Sequence, residues 1–515
     1  MRSIWCQHGA RRLLRSKFRR STRPVRKTLC ARFESPSSVS HRRLRKRTLE
    51  RRRACRRRFS SCSGRRRVSS RRGSARVITE LEVTLAGQPV GRLGRRSVED
   101  YVLEYDEAWA SAGGAVPLSL SLPLARRRHE GRILADFLDN LLPDNPDVRQ
   151  RWALDAGLST AESFGLLSEY GQDVAGAMSF RPAGAEVVSA GESVGDDHIA
   201  DRIRRITDDP TAWHDDAIPP RGQFSLGGAQ DKFSLARFGG GWHETRGEMA
   251  STHLFKPRVR GVPDGELVEF VVMRALRWLG VPAAGVSIFD HAETHSLVVE
   301  RFDRRIDPAG EAGPESRIER LHQEDMLQAL GLPRLRRFEK DGGPGADEIG
   351  NLLSRTSGSS SREQYATALL LSWILLSTDA HAKNYSIFID AEKVALTPLY
   401  DVSSIVPYLV GTKGTDVASF RSRADAASLA VRYGASDLSG SVGRFDLEHI
   451  ARRAGRPDSW LLNQAELFVT VLPTVISAAA AELPTRLQTD VVARLVEWMP
   501  SRCHQIAEQL GLQIL

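Results

Sequence analysis

The chain has 515 residues, enough for two or three domains, and carries 74 Lys and Arg against 63 Asp and Glu, a net +11. The charge is uneven: residues 1–76 hold 28 of the basic groups but only two acids, Glu34 and Glu50, which leaves 46 basic and 61 acidic groups in the rest. That acidic remainder offers no field to draw in nucleic acid directly, no CxxC pair supports a zinc ribbon or thioredoxin-like site, and no stretch reaches the roughly 18 apolar residues of a membrane span.

Residues 1–76 show no apolar period, and runs such as Arg51-Arg52-Arg53 and Arg65-Arg66-Arg67 repel one another, so disorder is expected. The segment can be read as an RNA-binding arm, a transit peptide, or translated upstream sequence with the natural start near Val77. The abrupt onset of fold pattern at Val77 favours the last. Four of the five cysteines precede that point, and the single later one, Cys503, fits a reducing, cytoplasmic setting.

From Ile78 the pattern alternates, with Leu81, Val83 and Leu85 against Glu82 and Thr84, then Ala86-Gly87-Gln88, then Val90 and Leu93; this predicts a strand, a turn and a strand. Leu118 to Leu124 is a short apolar stretch. Arg132 to Leu142 is helix-patterned and stopped by Pro143. These predict a first α/β subdomain over 77–180. A polar connection over about 183–220 follows. Strands are expected around Phe233–Phe238, Thr252–Phe255, Gly285–Phe289 and Ser296–Phe302, with a helix at Leu267–Leu279. Residues 341–346 and 356–361 read as exposed loops. Beyond Arg362 the chain is mostly helical, with strands near Tyr385–Ile389 and Val394–Leu399. The expected organisation is α+β and two-lobed: an N-lobe-like part over 181–340 and a mostly helical C-terminal lobe over 341–515. Leu461, Leu462, Leu467, Val492, Leu495 and Trp498 are assigned to that lobe's core.

The sharpest chemical signal is Thr378-Asp379-Ala380-His381-Ala382-Lys383-Asn384, lying between an apolar helix and a strand. Asp379 and Asn384 have Asp-x4-Asn spacing, and Asp401 follows after a strand and a turn. Phosphoryl transfer needs such a set: a carboxylate to receive the acceptor's proton, and an amide with a second carboxylate to hold Mg2+. A lone Asp-x4-Asn is usually a loop cap; the helix–loop–strand–turn–Asp context lifts it above that. Lys256, at the end of a strand, is the candidate phosphate-binding lysine, and Glu269 on the next helix is its candidate ion-pair partner, the bland alternatives being a solvated lysine and an exposed helix acid. Ser225-Leu226-Gly227-Gly228-Ala229-Gln230-Asp231-Lys232 is a small-residue loop whose N–H groups could cradle phosphates, though a Gly-Gly pair alone is more often just a turn. Walker A and HExxH motifs are absent.

Taken together these blocks, with Val299-Glu300-Arg301-Phe302-Asp303-Arg304, Leu321 to Met326 and Tyr400-Asp401-Val402, resemble the HipA family of toxin kinases over about 77–515. The first subdomain resembles that family's N-terminal coupling domain through Leu118 to Leu124 and Asn140-Leu141-Leu142-Pro143. The resemblance implies a protein-kinase-like fold and a Ser/Thr protein kinase using ATP and Mg2+. It implies Asp379 as catalytic base and Asn384 and Asp401 as metal ligands. Lys256, Ser225, Leu226, Gly227, Gly228, Ala229 and His381 would contact ATP, with Ser225 also autophosphorylated. Glu300 and Phe302 match the adenine hinge and Asp303 the ribose contact; Gln323-Glu324-Asp325 is read as architectural. Val268 and Ser377 depart from residues common in the family at the positions that support the site.

The implied partners are a helix-turn-helix, HipB-like antitoxin, operator DNA reached only through it, and a protein substrate such as an aminoacyl-tRNA synthetase; no membrane is expected. Two alternatives stand: a small-molecule kinase, and a catalytically idle co-repressor. The first lacks a counterpart to the 225–232 and 300–304 blocks, and the intact Asp379, Asn384, Asp401 and Lys256 weigh against the second.

Overall fold

The computed structural model describes residues 79–214, 227, 228, 230–306, 318–411 and 414–513; the Arg-rich segment and the expectations for Ser225, Leu226 and Ala229 lie outside the described residues. The first hairpin forms where alternation predicts it, β1 (Glu80–Leu85) and β2 (Gln88–Ser97). Its turn is Ala86-Gly87, both at positive φ, the backbone twist that a two-residue hairpin needs. β3 (Asp100–Tyr105), β4 (Arg128–Glu130) and β5 (Met178–Pro182) complete an antiparallel sheet ordered β4-β3-β2-β1-β5. α1 (Arg132–Asn140), α2 (Pro146–Asp155) and α3 (Ser163–Tyr170) supply the buried Leu134, Phe137, Leu138, Trp152 and Phe164.

The polar stretch after β5 is not a plain connection. It forms β6 (Ser189–Val194) and α4 (Asp196–Asp208), whose Ile199, Ile203 and Ile206 are buried at helical spacing among Asp and Arg. Next come β7 (Phe233–Phe238), β8 (Gly241–Gly247), β9 (His253–Lys256), α5 (Gly265–Trp278), β10 (Val286–His291) and β11 (Thr294–Glu300). Together with β6 they make a sheet ordered β10-β11-β9-β7-β8-β6. Phe233, Phe255, Phe289 and Val298 of this sheet share one apolar core with the first sheet and its helices.

The remaining elements are β12 (Arg304–Ile306) paired with β13 (Ile318–Arg320), β14 (Gln323–Asp325), and α6 (Met326–Leu330). Then follow α7 (Ala346–Thr356), α8 (Ser359–Leu375), β15 (Ser386–Ile389) and β16 (Val394–Leu396). Helices α9 (Val417–Asp425), α10 (Arg444–Arg453), α11 (Ser459–Ala480) and α12 (Asp490–Leu510) close the fold. α8 starts inside the stretch 356–361 read as a loop, because Ser361 is buried and bonds to Leu396 N. Against the sequence expectation that no stretch is of membrane-span length, α11 is long and apolar enough to cross a membrane because its few polar residues are spread along the helix; here it packs on α5, α8, α10 and α12. Of its expected core positions Leu461 and Leu462 are buried, whereas Leu467 is half exposed.

Gln323-Glu324-Asp325 is architectural in detail. Asp325 caps α6 by accepting from Leu327 N and Gln328 N, and Gln328 reciprocates to Asp325 N. Glu324 is fully buried against the 118–122 loop, accepts from Leu120 N at 2.9 Å, and burial pushes its carboxyl up to about 8. The unfolded chain would release that proton near 4.5. The folded state thus binds the extra proton, and stability falls as pH rises from the lower value through the upper. Glu324→Gln should flatten that slope, so that urea titrations at rising pH show the variant gaining on the parent until about pH 8.

Candidate active site

Strand alternation places Phe255 in the shared core and Lys256 on the opposite face, toward α5. There Lys256 Nζ lies 2.8 Å from Glu269 Oε1 and also pairs with the Asp401 carboxylate. Lys256 and Glu269 are both buried, so neither the solvated lysine nor the exposed helix acid describes them. Val268 points into the core beneath, fully buried.

α8 ends at Leu376, which is left-handed at φ 51°, and the chain turns into the Asp379–Asn384 loop. The Asp379 carbonyl accepts from His381 N at 2.8 Å and from Asn384 Nδ2 at 2.7 Å. That use of the amide nitrogen turns the Asn384 amide oxygen to other ligands. Asp379 keeps its carboxyl at solvent, at the mouth of the cleft. The cleft walls still desolvate it enough to raise its pKa, against the charges of Arg337 and Lys256. His381 is buried under Asp379, 3.6 Å away, with its ring edge-on to Phe338; burial and Arg337 hold it neutral, its pKa lowered to about 3.

Asp401 is a second left-handed residue, at φ 58°. Its neighbour Tyr400 donates to Lys383 O at 2.7 Å and meets Ser386 Oγ at 2.6 Å, fixing the 400–402 turn against the loop. Asn384, Asp401, Ser377, Ala380 and Tyr400 line one cavity. A carboxylate and an amide oxygen are the hard donors that suit Mg2+, which usually takes one or two protein oxygens and leaves the rest to water and phosphate. No cluster of three His, Cys, Asp or Glu exists among the described residues, so an all-protein metal cage is not what this cavity offers.

Gly227 and Gly228 lie beside the cleft. Gly228 has φ +107°, and a Cβ there would come within 2.8 Å of Lys232 Nζ, which donates to Gly227 O at 2.6 Å. Lys232 is buried, and desolvation together with the charge of Lys256 lowers its pKa to about 7.

The hinge block is divided. Glu300 is exposed at the end of β11. Phe302 packs its ring on Tyr400 and Phe388, and its N–H has no hydrogen-bond acceptor among the described residues. Asp303, expected at the ribose, is elsewhere. Both its oxygens are committed to Arg301 at 2.9 and 3.0 Å, with Gly176 N at 2.7 Å and Arg304 at 3.1 Å. It is buried, and freeing it would take away one of the two carboxylates that face the buried Arg301 and Arg304. Asp173 completes this network, facing Arg301, Arg304 and Ser251.

A family model described as the HipA N-terminal domain matches residues 81–181, and one described as the HipA-like C-terminal domain matches 224–471. The serine/threonine-protein kinase toxin HipA of Shewanella oneidensis (strain MR-1) is 30% identical over 349 residues, 65% of this chain and 77% of that protein. The chain belongs to the HipA family. Y4mE of Sinorhizobium fredii (strain NBRC 101917 / NGR234), whose name marks it as an inferred kinase, is 32% identical over 343 residues, 64% of this chain and 79% of the relative. The solved HipA of Shewanella oneidensis MR-1, in complex with HipB and operator DNA, superposes with a TM-score of 0.68 at 25% identity, covering 84% of this chain and 98% of that one. The chain is thus a HipA-like kinase with the kinase-like α+β fold.

Two residues of the HipA fold that shape the cleft or its support carry no motif of their own. Arg337, whose charge bears on Asp379, comes from the 334–338 segment, whose only sequence signal is a run of basic residues. Asp173 lies far upstream of its arginines. Burial pushes the Asp173 pKa up, but Arg301, Arg304 and Arg320 outweigh it and hold the group well below the usual carboxylate range. Its stabilisation is therefore present above pH 3.8 and is lost as pH falls below. Asp173→Asn should cost about 3–5 kcal/mol in urea unfolding at pH 7, because it leaves buried guanidinium charge uncompensated.

Proposed function

We propose that this chain is an ATP-dependent Ser/Thr protein kinase and the toxin of a toxin–antitoxin pair. The observation that carries the reading is the meeting of Lys256, Glu269 and Asp401 on one side of a cleft whose other side presents Asp379 and Asn384. In this reading Asp379 accepts the proton of the acceptor hydroxyl. Lys256, steadied by Glu269, holds the ATP phosphates. Glu300 and Phe302 offer backbone groups to adenine, and the Phe302 and Tyr400 rings form an apolar wall beside them. Asn384 and Asp401 would hold Mg2+, which when bound supplies charge neutralisation at the phosphates.

Gly227 and Gly228, with Ser225, Leu226 and Ala229, form the loop over the phosphates in this reading; His381, expected at ATP, is instead buried beneath Asp379 and supports it from there. Ser225 is the expected autophosphorylation site, and nearly two added negative charges there would repel the ATP phosphates. A HipB-like antitoxin is the expected partner, with operator DNA reached through it. The solved relative's assembly supports this, as does the acidic balance beyond residue 76. The expected acceptor is a protein, for which family resemblance offers an aminoacyl-tRNA synthetase as an example, and the expected setting is cytoplasmic.

Incubation with γ-labelled ATP and Mg2+ should place label on the protein, and Ser225→Ala should remove it. Asp379→Asn should lower transfer by at least about a hundredfold, the usual worth of a positioned base. Because the raised Asp379 pKa concerns a group that must be ionised to act, activity should climb with pH through a midpoint above 3.8. Unchanged label in Asp379→Asn would remove the kinase reading.

A further inference from the structure

Residues 140–144, the end of α1 and the turn after it, belong to the HipA N-terminal domain match and lie far in sequence from the cleft. They nevertheless reach three cleft elements. Lys383 sits between Asp379 and Asn384 and is buried. Its ammonium contacts Asn140 Oδ1 at 2.9 Å, Asn140 O at 3.3 Å and Asp325 Oδ2 at 3.0 Å. An ammonium has three donors, so this lysine is saturated, and two of its three acceptors belong to Asn140. Asn140 is itself pinned, donating Nδ2 to Asp136 O at 2.8 Å and to Leu332 O at 3.0 Å.

The second element is the glycine loop. Asp144 N donates to Gly228 O at 2.9 Å, and Pro143 forms a parallel bridge with Gly228. A Cβ on Gly227 would come within 2.7 Å of Asn140 O, so the loop backbone rests directly on this turn. The third element is Arg337. Asp144 Oδ2 accepts from Arg337 Nη1 at 2.8 Å, and the Arg337 carbonyl in turn accepts from Ala382 N at 3.2 Å. Arg337 is the largest charge opposing the upward pKa shift of Asp379.

We propose that Asn140 and Asp144 are positioning residues of the phosphate-transfer site, Asn140 holding the Asp379–Asn384 loop through Lys383 and Asp144 holding Arg337 and the glycine loop. The N-terminal domain is then a working part of the kinase cleft. Neither residue touches ATP or acceptor; each fixes the distance across which phosphate moves, and a misplacement of about 1 Å at such a distance costs of the order of a hundredfold in rate. The proposal rests on the kinase reading given above.

The test uses the full chain with isosteric Asp144→Asn and small Asn140→Ser. Three quantities are compared: kcat for labelled phosphate transfer to the chain itself and to dephosphorylated casein, the Kd of mant-ATP with Mg2+, and the thermal midpoint. Each variant is expected to lose at least tenfold in kcat, with the mant-ATP Kd changed less than threefold. Asp144→Asn should keep its thermal midpoint within a few degrees, and Asp144→Glu, which keeps the charge toward Arg337, should recover part of the lost kcat. A wild type that transfers no phosphate overturns both the kinase reading and this one. An active wild type whose variants keep kcat, or lose it only in proportion to melting, overturns this inference alone.

Discussion

A lysine without solvent, held between two carboxylates, is the interaction on which the cleft depends. Placing the Lys256 ammonium in the interior is costly unless its charge and donors are met, and removing one partner of such a group is worth about 3–5 kcal/mol. Glu269 and Asp401 meet it from opposite directions. The demand therefore fixes the register of β9, the rotation of α5, and the position of the turn after β16. Asp401 takes a left-handed backbone to comply, a conformation that side-chain-bearing residues hold only where their surroundings impose it.

Behind that lysine the sheet is not a free-standing layer. Phe255 shares a strand with Lys256 and packs face to face with Phe233, their ring centroids 4.7 Å apart, in the core that also contains Leu81, Phe137 and Trp152. The buried arginine network ties the same two parts electrostatically, since Asp173 comes from before β5 and its arginines from beyond β11. Apolar packing and charge pairing thus hold one junction at two places. Glu324 adds a third at the 118–122 loop, where its buried carboxyl accepts from Leu120 N.

Much of this was legible in the sequence because it is local. A strand-like segment ending in Lys256, followed by a helix that carries Glu269, made the ion pair a candidate beside the blander solvated readings. The spacing of Asp379, Asn384 and Asp401 carries its own context. What was not legible depended on burial by distant residues. Asp303 stands beside hinge residues in sequence, but two arginines and Gly176 N draw it inward. α4 was hidden because Asp and Arg dominate its composition, although three isoleucines mark its inner face. Asn140 and Arg337 become cleft residues only when the chain brings them to Lys383 and Asp379.

The shared aromatic core has a consequence for dissecting the molecule. A fragment ending after β5 would carry away the first sheet and leave Phe233, Phe255 and Phe289 facing water, while its own Phe137 and Trp152 lost part of their cover. Neither half would be a finished globule. Each would present the other with a complementary greasy face, so two such pieces made as separate chains would be natural mates rather than independent modules.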